Sequence, residues 1–249
     1  MTMSKIEMCT DHTGKMEGIN SISTSTDLNP NCRANAKIRG SICAKCYAHN
    51  MIQMYAGLRD RLQRNTDALT KEVLPDEDLP DTTGMEIFRF ESFGDLHNEI
   101  HLINYMNIVK KNPGTRFTLW TKVYDVAYNY FKDHDVPENF TLILSSLMIN
   151  QRIDLSRFKA LGKFQPGQLK SFTVWDKKFL DANPGVVNVN CGSRMCNLCR
   201  QCYSKNKVEE INEILKSDQH AVVVKEALKS PEMREKVAVD LGDLEKLFS

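Results

Sequence analysis

No stretch of this chain approaches the roughly 20 consecutive apolar residues that cross a bilayer. The polar opening, Met1 to Gly18, also lacks the apolar run of a secretory signal. Neither charge is in excess: 33 Lys and Arg stand against 32 Asp and Glu, so composition gives no prior for a nucleic acid or a membrane surface as partner. Internal repeats and low-complexity segments are missing too, which argues against tandem units. These absences place the chain in the cytoplasm, with no membrane partner. The 249 residues, 41% of them hydrophobic, suffice for the core of one sizeable domain or two small ones.

What the chain does have is cysteine in groups. Cys32, Cys43 and Cys46 read C-x10-C-x2-C, and Cys191, Cys196, Cys199 and Cys202 read C-x4-C-x2-C-x2-C. In a reducing compartment such spacings are metal-ligand arithmetic rather than disulfides. The front three stand near the start of a predicted helix, whose N-terminus favours thiolate charge. Three thiolates on a 4Fe-4S cluster leave one iron open, whereas four close the site. A zinc knot with Cys9 or His49 as fourth ligand is the competing reading of the front group. A structural zinc competes with a second 4Fe-4S cluster for the rear group.

Between the cysteines, short β-rich runs alternate with helical periodicity, the pattern of βα units around a parallel sheet. Strands are expected at 19–26, 85–90, 116–121, 140–147, 171–175 and 186–190. Helices are expected beyond Cys46 as far as Pro75, from Leu96 to Asn112, from Val123 to Phe131 and around Phe158, with a charged helical stretch after Cys202. The fold class is therefore α/β, a partial (β/α)6 TIM-like barrel of parallel strands, with an open doubly wound sheet as competitor. The division is a barrel core over 1–190 and a cysteine-rich, helical extension over 191–249. Functional groups of such folds gather at the carboxyl ends of the strands. Cys32, Cys43 and Cys46 fall after strand one, and Cys191 after strand six.

Other strand-end residues complete the candidate site. Glu91, Ser92, Gly94 and Asp95 follow strand two, where a turn and a carboxylate can bind an amine or hydroxyl, although Asp is also a common helix cap. His97 and His101 stand four apart on the next helix, a spacing that can hold a metal. Thr121-Lys122, Ser145-Ser146, Trp175-Asp176 and Asn190 close later strands with polar groups. The candidate catalytic residues are Asp95, His97 and Lys122, and the candidate cofactor-binding residues are Glu91, Ser92, Gly94, Asp95, Ser145 and Asn190. Arg59, Arg61 and Arg64, with Lys205 and Lys207, keep nucleic acid open as a partner, although a charged run is more often the wet face of a helix.

The motifs Ser41-Ile42-Cys43-Ala44-Lys45-Cys46-Tyr47-Ala48, Phe88-Arg89-Phe90 with Phe93-Gly94-Asp95-Leu96, and Phe117-Thr118-Leu119-Trp120-Thr121-Lys122 resemble the bacteriophage gene product 88 family. That resemblance implies a phage or prophage origin and the host cytoplasm as location. The layout also resembles the radical S-adenosylmethionine superfamily, with a β/α barrel, a three-cysteine cluster loop after strand one and a Gly-Gly-Glu-like motif ending strand two. Here the gap after Cys32 is longer than is usual there, and the aromatic Tyr47 follows the last cysteine instead of preceding it. The resemblance implies that Cys32, Cys43 and Cys46 hold the catalytic cluster, that Gly94 and Asp95 contact S-adenosylmethionine, and that Cys191, Cys196, Cys199 and Cys202 hold an auxiliary centre. The expected function is an iron-sulfur enzyme fed by an electron donor, acting on a small-molecule or macromolecular substrate. A zinc-stabilised phage binding protein without catalysis and a non-radical iron-sulfur enzyme are the alternatives.

Overall fold

The computed structural model describes residues 6–215. Its centre is a six-stranded sheet of β1 (Asn20–Ile22), β2 (Ile87–Phe90), β3 (Arg116–Thr121), β4 (Phe140–Ser145), β5 (Leu169–Trp175) and β6 (Glu210–Ile214). The strands lie side by side in chain order and every neighbouring pair is parallel. This order has no reversal point, which rules out the doubly wound alternative. The sheet is open, with β1 and β6 as its edges, and each edge carries one isolated bridge, Cys9 to Ser21 and Cys191 to Glu213.

Period-two alternation decides which face each side chain takes. Phe88, Phe90, Phe117, Leu119, Phe140, Leu142 and Leu144 share one face, in register across three strands. Against them pack Leu69 of α3 (Ala56–Lys71), Leu102, Tyr105, Met106 and Val109 of α4 (Glu99–Lys111), Ala127 and Phe131 of α5 (Tyr124–Asp133), and Phe158 of α6 (Ser156–Lys159). Helices thus cover a single face. The opposite face presents Ile87, Trp120, Ile143, Phe172 and Ile211, and these are covered by the rear cysteine segment through Cys191, Cys196, Cys202, Tyr203 and Val208.

Four expected elements differ. Residues 186–190 are not a strand: Val186 and Val189 are exposed, and the segment meets β6 through irregular bonds, the Asn190 and Cys191 amides both donating to the Asn212 carbonyl and the Asn188 carbonyl accepting from the Asn212 side chain. The sixth strand is Glu210–Ile214, so the rear cysteines precede the last strand instead of following it, and the sheet continues past residue 190. The expected helical stretch after Cys202 is replaced by β6 as far as it can be followed, and residues 216–249 lie outside the described residues. The first strand also ends earlier than expected. After Ile22, the Thr24 amide donates to the Glu91 carboxyl and the Ser25 amide to the Thr66 hydroxyl, so side chains replace a ladder partner. The long helix after Cys46 is broken at Tyr55 into α2 (Tyr47–Met54) and α3.

Candidate metal centres

The front cysteines ride on a loop tied down at both ends. Asn29 caps α1 (Pro30–Ala36) by accepting from the amides of Asn31 and Cys32, and its own amide group donates to the Asp95 and Leu96 carbonyls. Ser41 caps the 3-10 turn Ile42–Lys45, which carries Cys43 and ends at Cys46, the residue that starts α2. Backbone bonds from Ile42 to Leu147 and from Ile149 to Gly40 pin the loop to the carboxyl end of β4. A loop that leaves β1 and is fastened at β4 carries Cys32, Cys43 and Cys46 over the ends of β2 and β3.

These thiols influence one another. Burial raises the pKa of Cys32, and Asp95, Cys43 and Glu91 raise it further, while Lys122 opposes them. Burial also pushes up Cys43, lowered in part by Lys122 and raised by Asp95 and Cys46. Groups following β1, β2 and β3 are therefore near enough to act on one another. Cys9 and His49 lie elsewhere: the Cys9 sulfur sits 3.2 Å from Asp11 and 3.9 Å from His12, and His49 pairs with Asp27 at 2.8 Å.

Asp95 is buried and fully engaged. Its Oδ1 accepts from the Thr121 hydroxyl at 2.5 Å and the Leu96 amide at 2.8 Å, and its Oδ2 accepts from the Lys122 amide at 2.9 Å. The Glu91 carboxyl is equally enclosed, accepting from Tyr105 at 2.7 Å and Thr24 at 2.9 Å, with His101 Nε2 at 3.4 Å. Burial dominates those bonds and lifts its pKa to about 8. Gly94 has φ +81, and a Cβ there would lie 2.4 Å from the Thr24 carbonyl and 2.7 Å from Glu91 Oε2. Its bareness serves the packing of the β1 and β2 ends. Ser92 bonds Ser21 and Ser23, each at 2.9 Å, and its carbonyl accepts from the Tyr47 hydroxyl.

His97 and His101 do not pair around a shared position. The His97 amide donates to His101 Nδ1 at 3.3 Å, which leaves His101 Nε2 turned towards Glu91. Desolvation pushes His97 down to about 4 and holds His101 neutral as well. The Ser145 carbonyl takes the Tyr124 hydroxyl at the start of α5. Asn190 links the rear loop to β6, donating to the Glu210 carbonyl and accepting the Asn212 amide. The candidate residues thus divide: Asp95, Glu91 and Lys122 lie near enough to the front thiols to act on them, Asn190 belongs with the rear group, and the His97 ring lies 5.7 Å from that of His101.

The rear thiols gather on the sheet's other face. Cys202 is raised in pKa by burial, and further by Cys191, Cys196 and Cys199, which lie near enough to act on it. Cys196 and Cys199 bound the single turn α8 (Cys196–Cys199), and Arg200 follows in the left-handed region at φ 56. Cys191 is pushed up to about 11 by burial and Glu213, against Lys15, whose ammonium lies 3.5 Å from the Cys191 sulfur and 2.6 Å from Glu213.

A family model described as gene product 88 matches residues 8–205. The chain belongs to the gene product 88 family. The match spans both cysteine groups and ends just before β6. No curated protein and no solved structure matches.

In this gene product 88 chain all eight cysteines are free thiols. Among the described residues, no three His, Cys, Asp or Glu side chains stand in a ready metal-ligating arrangement. The donor type nonetheless suits a metal, because each group is made of cysteine thiols, which bind a metal ion as thiolates once it has displaced their protons. Arg59, Arg61 and Arg64 each face a carboxylate, Asp60, Asp11 and Glu7, so they form no unpaired basic face. No helix among the described residues is long and apolar enough to cross a membrane.

Sequence reasoning passed over the cations of the gene product 88 chain that matter most. Arg89 lies between Phe88 and Phe90 at an inward position of β2, and Lys170 holds the same kind of place in β5. A lone cation inside an alternating strand was the available signal.

Proposed function

We propose that the chain is an iron-sulfur enzyme on a partial, TIM-like β/α barrel of the radical S-adenosylmethionine layout. In this reading Cys32, Cys43 and Cys46 hold an open-site 4Fe-4S cluster, and Cys191, Cys196, Cys199 and Cys202 hold an auxiliary centre. The observation that supports the reading is that Asp95 and Lys122, which follow β2 and β3 of the consecutively ordered parallel sheet, both act on Cys32 and Cys43. Such a cluster, when bound, supplies a low-potential electron and one iron free to coordinate S-adenosylmethionine.

The chain's own residues have defined parts. Lys122 places a cation beside the thiolates and offsets their negative charge. Asp95 holds the Lys122 backbone and the end of β3 in place. Tyr47, just after Cys46, closes one side by bonding the Ser92 carbonyl, with Phe93 6.0 Å from its ring. Lys122 and Tyr124 reach the mouth from the loop after β3, so three successive βα loops contribute to it.

Anaerobic purification followed by iron, sulfide and zinc analysis tests the reading. Roughly four irons per occupied centre, and an electron paramagnetic resonance signal that changes on adding S-adenosylmethionine, are expected. Zinc alone at both groups overturns it and leaves a zinc-stabilised binding protein. Iron without any response to S-adenosylmethionine removes the radical part and leaves a non-radical iron-sulfur enzyme.

A further inference from the structure

Arg89 points from β2 into the face covered by the rear cysteines. Its guanidinium stacks 4.0 Å over Trp120, which in turn meets Tyr203 at 5.5 Å. Part of the side chain keeps solvent contact, but Nε is sealed off and has no hydrogen-bond partner. Its other nitrogens reach neutral acceptors, the Glu91 carbonyl at 3.3 Å, the Met16 sulfur at 3.5 Å and the Tyr203 hydroxyl. Among the described residues no carboxylate pairs with it. A sealed guanidinium donor without an anion is costly unless negative charge is supplied nearby. Cys196 and Cys202 are the groups in place to supply it, and both pack in the same cluster as Trp120.

We infer that Arg89 is the built-in counter-charge of the rear centre, stabilising Cys191, Cys196, Cys199 and Cys202 as a metal-bound tetrathiolate against the sheet. This rests on the reading of those four thiols as a metal centre. Four thiolates on a divalent metal, or on an oxidised 4Fe-4S cluster, leave a net charge of about −2. One cation, Lys15, is already shared with Glu213. Arg89 supplies the charge that Lys15 cannot.

The test uses the full chain with Cys32, Cys43 and Cys46 changed to Ala, so that only the rear group binds metal. Zinc, and separately iron with sulfide, is titrated against a competing chelator. Arg89→Met is expected to weaken retention about tenfold or more, the range for residues one step removed from a metal, whereas Arg89→Lys stays within a few-fold of the parent. Equal affinity in the parent and Arg89→Met overturns the inference alone, as does an equal loss in Arg89→Lys and Arg89→Met, which would assign the effect to stacking on Trp120. Should Arg89→Met fail to fold, the comparison of Arg89→Lys with its parent still decides, because a tenfold loss there overturns the charge account. No metal on the parent removes the rear centre itself, and the inference with it.

Discussion

Asp95 Oδ2 accepts the backbone amide of Lys122 at 2.9 Å, tying the turn after β2 to the end of β3 beneath the front thiols. The same carboxylate takes the Thr121 hydroxyl and the Leu96 amide, so one buried side chain satisfies three donors. Asp95→Ala strands those donors, at roughly 1–3 kcal/mol for each that finds no new partner. The expected result is a total loss of roughly 2–5 kcal/mol together with reduced metal content at the front group. Asp95→Asn keeps one acceptor oxygen and is milder. Denaturant unfolding with metal analysis checks both, and an Asp95→Ala protein of unchanged stability refutes the clamp.

Gly94 is constrained twice, by φ +81 and by the Thr24 carbonyl 2.4 Å from where a Cβ would lie. Backbone strain in the left-handed region costs about 1–2 kcal/mol and overpacking about 1–3 more. Gly94→Ala should therefore lower the melting temperature by on the order of 10 °C. Gly84, at φ +85 with open space around it, is the control. Gly84→Ala carries the strain without the clash and should lose distinctly less. Equal losses in the two variants would remove the packing argument.

Glu91 makes stability depend on pH. Burial raises its pKa from an ordinary 4.5 to about 8, so between those values the folded protein holds a proton that the unfolded chain releases. Stability from this group is fully present below pH 4.5 and is lost as pH rises through about 8. His101, whose pKa burial lowers, acts with the opposite sign and weakens the fold as pH falls below its ordinary 6.5. Glu91→Gln imitates the neutral acid, and the hydroxyls of Thr24 and Tyr105 can turn to accept from the amide. At pH 9 the variant should be more stable than the parent by on the order of a few kcal/mol, and at pH 5 similar to it. Urea unfolding across pH measures the difference, and parallel curves for the two proteins would contradict the assignment.

The strands and the turn behind the front cysteines were legible because their signals are local. Cysteine spacing, the Gly94-Asp95 turn and alternating strands such as Phe117 to Thr121 each declare themselves within a few residues. What bonds at long range was not legible. The string Ser23 to Thr26 looks like strand, yet its partners Glu91, Thr66 and Asn65 lie 41 or more residues away. At the other edge, Val186 to Asn190 has the alternation of a strand but no neighbour to bury its valines. Glu210-Ile211-Asn212-Glu213-Ile214 is polar enough to pass for a helix, yet it buries Ile211 against the sheet's inner face. Its outward Asn212 is satisfied by the Trp175 indole at 2.8 Å, a partner that composition does not reveal.

Lys170 fastens the end of the rear segment. Its side chain is fully buried on the sheet's inner face, and its ammonium donates to Asn206 Oδ1 at 2.9 Å and the Val208 carbonyl at 2.8 Å. The segment from Cys191 to Glu209 has little regular structure beyond α8, so few backbone bonds hold it. Its attachment rests on Lys170, on the packing of Tyr203 against Trp120, on the Thr118 hydroxyl donating to the Cys202 carbonyl and on the Arg200 pair with Glu86. Lys170→Met removes the two donations and strands the Val208 carbonyl, while Asn206 Oδ1 keeps the Val208 amide at 2.9 Å, a loss of roughly 1–3 kcal/mol. If metal is a further fastening, chelation should act on the same segment, and the two perturbations together should exceed either alone. Limited proteolysis is the measurement: cleavage between Cys191 and Glu209 should rise with chelator, rise with Lys170→Met, and rise most with both. Cleavage that ignores the chelator in parent and variant alike would show that the thiols do not hold this segment through a metal.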